Sequence, residues 1–258
     1  MDFIDTHTHI FIDDFDVDRQ SAINRAKEVG VKCMILPNID SSSIEQLLSV
    51  TDLYDGYCLP LMGLHPTSVK KNFEQELALV EDQLGKNKFW GIGEIGIDLY
   101  WDKTFFEQQK VAFRHQLKLA KKHELPVVIH SRNAFDEILE IVDQEVDESL
   151  KGVFHSFSGS LSNYQHIMSY KSFMVGIGGV VTYKNGGVDK VLKDMNIQSI
   201  LLETDSPYLS PVPLRGKRNE SANIVHVARK VAEILNLPVE NVAQATTQNA
   251  IKLFSLDL

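Results

Sequence analysis

Eight short apolar runs, each followed by a stretch of helical spacing or a helical turn, recur from one end of this 258-residue chain to the other. The runs are DFIDTHTH, VKCMILPNI, YCLPLMGLHP, FWGIGEIGID, PVVIHSR, GVFHSF, SFMVGIGG and QSILLETD. Between them, DVDRQSAINRAKEVG places Ala22, Ala26 and Val29 near one face and stops on Gly30. FEQELALVEDQLG stops on Gly85, since glycine enters the left-handed conformation that ends helices. FFEQQKVAFRHQLKLAKKHE is the longest helical stretch and is halted by Pro126. SANIVHVARKVAEILN and VENVAQATTQNAIKLFSL close the chain as two further helices. Eight strand–helix repeats in a chain of ~250 residues give the rhythm of a (β/α)8 barrel. No linker or composition break divides residues 1–258, which are read as a single domain. An open doubly wound sheet shares this local pattern.

The polar residues separate the two folds. His7 and His9 fall at the end of the first run, His65 at the end of the third and Glu94 late in the fourth. His130, His155 and Asp205 fall late in the fifth, sixth and eighth. In a barrel these ends converge on one mouth, whereas an open sheet spreads them along a line. Alternation along a strand also puts Asp5, His7 and His9 on one face. Gathering imidazoles and carboxylates without a compensating charge costs several kcal/mol for each ionised group, so the cluster calls for cations. Imidazole mixed with carboxylate, and no thiolate, suits Zn, Mn, Co or Ni, with Mg on the oxygen-rich side. His7, His9, Glu94, His130, His155 and Asp205 are too many for one tetrahedral centre and suit two divalent ions. Glu94 is the natural bridge, with His7, His9 and Asp205 on one ion and His130 and His155 on the other. His115, His123, His166 and His226 lie in helical stretches away from the mouth and are read as structural.

Composition narrows the partners. The formal charge is −9, without the basic footprint of a protein that grips duplex nucleic acid. Bound cations would then be what attracts an anionic substrate. No run approaches the roughly 20 apolar residues that span a bilayer, and no basic–apolar leader opens the chain. Cys33 and Cys58 sit in apolar runs, as buried thiols in a reducing compartment would, so a cytoplasmic location is expected, with no membrane and no obligate protein partner.

The blocks DTHTH, GLHP, GEIGID, PVVIHSR, GVFHSFSG and LLETDSPYLSPVPLRGKRNE, in this order, resemble the signature blocks of the TatD-type metal-dependent deoxyribonucleases. Those belong to the amidohydrolase-like superfamily of metal-dependent hydrolases, and the likeness continues to ATTQNAIKLF. It implies the same ligands: His7, His9, Glu94, His130, His155 and Asp205. Thr67 stands where many relatives carry another His, and Ser221 where Pro is usual. Thr8 replaces a frequent Cys and is expected to face outward.

The implied activity is hydrolysis of DNA phosphodiester bonds, at accessible ends or on single strands. A metal-bound hydroxide attacks, with Asp205 and Glu94 as the catalytic carboxylates. His65, Arg132, Arg215, Lys217 and Arg218 are candidate substrate contacts, and Tyr100, Trp101, Phe157 and Tyr208 candidate base-stacking residues. Asp5, Asp98 and Glu203 are expected to orient ligands. The alternative is a hydrolase of esters, amides or lactones, including aminoacyl-tRNA deacylase-like activity. Against it stands Glu94, where many such enzymes use a carboxylated Lys.

Overall fold

The computed structural model describes residues 1–258. Its strands are β1 (Phe3–Asp5), β2 (Val31–Pro37), β3 (Cys58–Leu61), β4 (Ile92–Asp98), β5 (Val127–Arg132), β6 (Gly152–Phe154), β7 (Phe173–Ile177) and β8 (Ile200–Leu202). All neighbours pair in parallel and in sequence order, β1 to β3 in one sheet and β4 to β8 in another. Short bridges join the sheets at both seams. Met62 pairs with Ile92 between β3 and β4, and Thr8 with Ser206 beyond β1 and β8. The Thr6 amide donates to Leu202 O (3.1 Å) and the Asp205 amide to His7 O (2.9 Å), tying the first strand to the last. The architecture is a (β/α)8 barrel.

Helices α1 (Arg19–Glu28), α2 (Ile44–Leu53), α3 (Phe73–Lys86), α4 (Phe106–His123), α5 (Phe135–Glu145), α6 (Leu161–Ser169), α7 (Val188–Leu192) and α8 (Ile224–Leu235) fill the connections and follow β8, and α9 (Val239–Phe254) closes the chain. None is long and apolar enough to cross a membrane. Alternation sorts the strand residues into two apolar layers. Phe3, Leu36, Ile129, Phe154 and Leu202 belong to the large core beneath the helices. Ile4, Cys33, Ile35, Leu61, Val128, Val153 and Leu201 form a smaller cluster with Ala250, Leu253 and Phe254 of α9. That branched, tightly filled interior makes the barrel a packed core, open to chemistry only at its mouth.

Several boundaries differ from the periodicity. The first run ends as a strand at Asp5, so His7 and His9 lie beyond it, in a segment held by β8's extension rather than by pleat alternation. Thr8 is fully buried, its hydroxyl 2.6 Å from Ser206 Oγ, because this segment lies between neighbours on both sides, and it does not line the cavity that His9 lines. Gly85 lies within α3, which continues to Lys86. Gly30, in contrast, has φ +96° just past α1, as a helix-ending glycine should.

One glycine decides how closely two ligand-bearing strands approach. Gly96 in β4 has φ +141°, and a Cβ there would stand 2.0 Å from the carbonyl oxygen of His130 in β5. Gly96→Ala is expected to lower unfolding free energy by about 2–4 kcal/mol through strain and strand separation. Urea denaturation checks this, and a change within about 0.5 kcal/mol, the level of a neutral surface substitution, would contradict it.

Candidate metal centre

Glu94 stands at the centre of the mouth, 2% exposed, and its two oxygens look in different directions. Oε2 lies 3.1 Å from His7 Nε2 and 3.8 Å from His9 Nε2. Oε1 lies 2.8 Å from His130 Nδ1, 3.4 Å from His65 Nε2 and 3.5 Å from His155 Nε2. Asp205 Oδ1 completes the first group, 3.8 Å from both His7 Nε2 and His9 Nε2, which are themselves 3.2 Å apart. The six residues picked from the sequence, and His65 with them, thus meet in one pit. His115, His123, His166 and His226 lie on helices α4, α6 and α8, away from it.

The donor spacing fits a cation. An ion ~2.1 Å from four tetrahedral donors needs them ~3.4 Å apart. The five separations linking His7 and His9 to each other, to Glu94 and to Asp205 run from 3.1 to 3.8 Å. Two imidazole Nε2 atoms facing each other at 3.2 Å cannot both carry a proton along that line, so at least one lone pair is directed there. His7 Nδ1 is buried and has no hydrogen-bond partner.

Burial and partners divide the histidines by charge. Burial drives His7 well below its ordinary pKa, helped by the neighbouring His155. Burial likewise pushes His9 down to about 4. Burial also disfavours the charged form of His155, but Glu203 and Glu94 overcome it and hold His155 up to about 10. His130 moves upward too, since hydrogen bonds to Asp98 and Glu94 outweigh its burial. Burial pushes Asp205 up to about 7. The proton on His155 therefore offsets part of the buried carboxylate charge.

The orienting residues act in distinct ways. Glu203 Oε1 lies 3.0 Å from His155 Nδ1 and accepts the Ser156 amide at 2.6 Å. Gly176 of β7 makes room for it, since a Cβ there would stand 2.1 Å from Glu203 Oε2. Asp98 Oδ2 is 2.9 Å from His130 Nε2. Asp5 reaches backbone rather than an imidazole: it accepts the Thr204 amide (2.9 Å), the Thr204 hydroxyl (2.6 Å) and, at 3.4 Å, the His7 amide.

Of the proposed substrate contacts, His65 and Arg132 line the cavity of about 730 Å³ that opens above Glu94. Arg218 is tied to Asp18 at 2.7 Å and lies over the Phe15 ring, and Arg215 stacks on Tyr183 at 4.1 Å. Neither these two nor Lys217 is among the cavity-lining residues. Phe157 is 2% exposed and packs in the core, while Trp101 and Tyr208 line the cavity. Sequence reasoning passed over Asn219, fully buried, whose amide donates to Thr204 O and Tyr208 O (both 2.8 Å) and so shapes the loop that presents Asp205. Its signal was an amide inside RGKRNE, overshadowed by the charges around it.

A family model described as TatD related DNase matches residues 4–255. The chain is 35% identical over 254 residues to the uncharacterized metal-dependent hydrolase YabD of Bacillus subtilis, covering 98% of this chain and 99% of that one. It is 30% identical to the deoxyribonuclease TATDN3 of Homo sapiens, over 97% of this chain and 94% of that one. The crystal structure of YjjV, a TatD homologue from Escherichia coli, superposes with a TM-score of 0.93 at 31% identity, covering 99% and 98% of the two chains. Metal-dependent relatives and clustered His and Glu donors together point to a divalent-metal site.

Metal ligation needs neutral imidazole and ionised carboxylate, so a divalent ion held by His155 would displace the proton that keeps it charged up to about 10. Loading is therefore expected to release at least one proton at neutral pH, and affinity to rise at least about tenfold per pH unit between pH 6 and 8. Calorimetry in buffers of different ionisation enthalpy measures this. Equal affinities at both pH values would refute the charge assignment.

Proposed function

The chain belongs to the TatD related DNase family of metal-dependent hydrolases, and from that premise we propose that it hydrolyses phosphodiester bonds of DNA, working inward from accessible or single-stranded ends. The two-faced setting of Glu94 carries the reading, because one carboxylate oxygen faces His7 and His9 while the other faces His130 and His155. Two divalent ions would fit that arrangement: His7, His9 and Asp205 would hold one and His130 and His155 the other, with a Glu94 oxygen available to each. When bound, such ions polarise a phosphoryl oxygen and lower the pKa of a nearby water.

The chain's own residues do the rest. Asp205 is the more exposed carboxylate of the centre, its side chain 15% accessible against 3% for Glu94, and is placed to take the proton of an attacking water. Glu203 fixes the ring of His155, and Asp98 that of His130, so that both imidazoles stay aimed at Glu94. His65 and Arg132, on the cavity wall, are assigned to the substrate phosphate. His7 is fully buried and Glu94 nearly so, so the scissile phosphate must enter a pit. A chain end or single strand can do that, whereas the phosphates of an intact duplex stay on its outside. The surrounding charge of −9 repels nucleic acid, which leaves the cations as the attracting element. Residues 1–258 are taken as one working unit, since α9 packs against β1 and β8 and the donors span His7 to Asp205.

The test is nucleotide release from end-labelled single-stranded and duplex DNA by chelator-stripped protein resupplied with Mg, Mn or Zn, beside aryl-ester and lactone panels. Metal-dependent release favouring single strands is expected. His130→Ala and Asp205→Ala should each lower kcat/KM by about 1,000-fold, roughly 4 kcal/mol of transition-state stabilisation. Activity surviving both substitutions, or confined to esters and lactones, would overturn the assignment.

A further inference from the structure

The loop after β4 leaves two large rings in water beside the pit. Tyr100 is 53% and Trp101 68% exposed, with centroids 4.9 Å apart at an interplanar angle of 87°. Arg132, at the end of β5, stands over both, its Cζ 4.0 Å from the Tyr100 centroid and 5.3 Å from that of Trp101. This guanidinium faces no carboxylate, whereas Arg19, Arg25, Arg114 and Arg218 are each paired with one. Trp101 and Arg132 line the same cavity as Glu94, His130 and Asp205.

The loop is registered to the centre by one side chain. Asp98 Oδ1 accepts the amides of Tyr100 (2.9 Å) and Trp101 (3.1 Å) while its Oδ2 meets His130. The rings are therefore held at a fixed place relative to a candidate metal ligand. From this arrangement we propose that Tyr100, Trp101 and Arg132 form a subsite that seats the terminal nucleotide of a single strand. The base stacks on the exposed ring face, and the free edge of the guanidinium takes a phosphate oxygen. The inference rests on the phosphodiesterase reading and deepens it by naming what part of the substrate is recognised. A planar π-face together with an unpaired cation matches a nucleotide better than an ester or lactone, which offers neither aromatic base nor phosphate. Stacking of this kind needs an unpaired base, which selects single strands over duplex. It also tolerates all four bases, so little sequence preference is expected.

The chain's other tryptophan, Trp90, precedes β4 at the opposite end of that strand, under Lys88. In Trp90→Phe protein, emission thus reports Trp101 alone. Titration in Mg²⁺ with oligothymidylate carrying a terminal phosphorothioate linkage should quench it, and the same oligomer with an abasic residue at the cleaved end should quench it far less. Trp101→Ala should raise KM for the base-bearing end by about 10- to 100-fold, with kcat nearly unchanged and little effect on the abasic end. Trp101→Phe should restore most of the loss. Equal effects on both ends, or no quenching, would overturn the subsite while leaving cleavage intact. Base-dependent quenching without cleavage under any of the three metals would support the subsite and overturn the reaction instead.

Discussion

A carboxylate buried at the mouth of a barrel must be answered by positive charge, and Glu94 sets that condition for the whole centre. Four imidazole side chains have a ring nitrogen within 3.5 Å of its oxygens, and His9 follows at 3.8 Å. His155, held up to about 10, supplies part of the compensation, and hydrogen bonds to Asp98 and Glu94 raise His130 despite its burial, while burial keeps His7 and His9 neutral. With divalent ions the protons become redundant. The same geometry thus serves two charge states, and exchange between them links metal loading to pH.

Around that carboxylate, rigidity comes from groups that touch no substrate. Glu203 occupies the space Gly176 leaves open and fixes His155. Asp5 holds the backbone of Thr204 and His7, so the first and last strands present their ligands in register. Asn219 stitches the following loop to Thr204 and Tyr208. Asp5, Glu203 and Asn219 are each answered by more than one partner, which helps so polar a centre sit on an apolar core.

The rim shows a similar division of labour among like residues. Arg218 and Arg25 are drawn to Asp18 and Glu220, where they fasten the loop after β8 to α1. Arg132 has no such partner and keeps a free guanidinium edge at the cavity. In a chain of net charge −9, positive potential at the cavity is therefore local, with Arg132 the arginine that lines it.

The eight-fold rhythm, the order of the strands and the gathering of His7, His9, Glu94, His130, His155 and Asp205 were legible in the sequence. Periodicity fixes which residues fall near strand ends, and a barrel brings those ends together. Periodicity could not say that β1 stops at Asp5, that the Thr8 hydroxyl meets Ser206, or that Gly85 stays helical, because contacts with neighbouring and distant segments decide those points. Nor could it separate Arg132 from Arg218, two cations alike in composition and placed after strands alike. Which of them is free depends on Asp18 lying within 2.7 Å of one and two aromatic rings beneath the other, and only the folded chain brings such remote residues into contact.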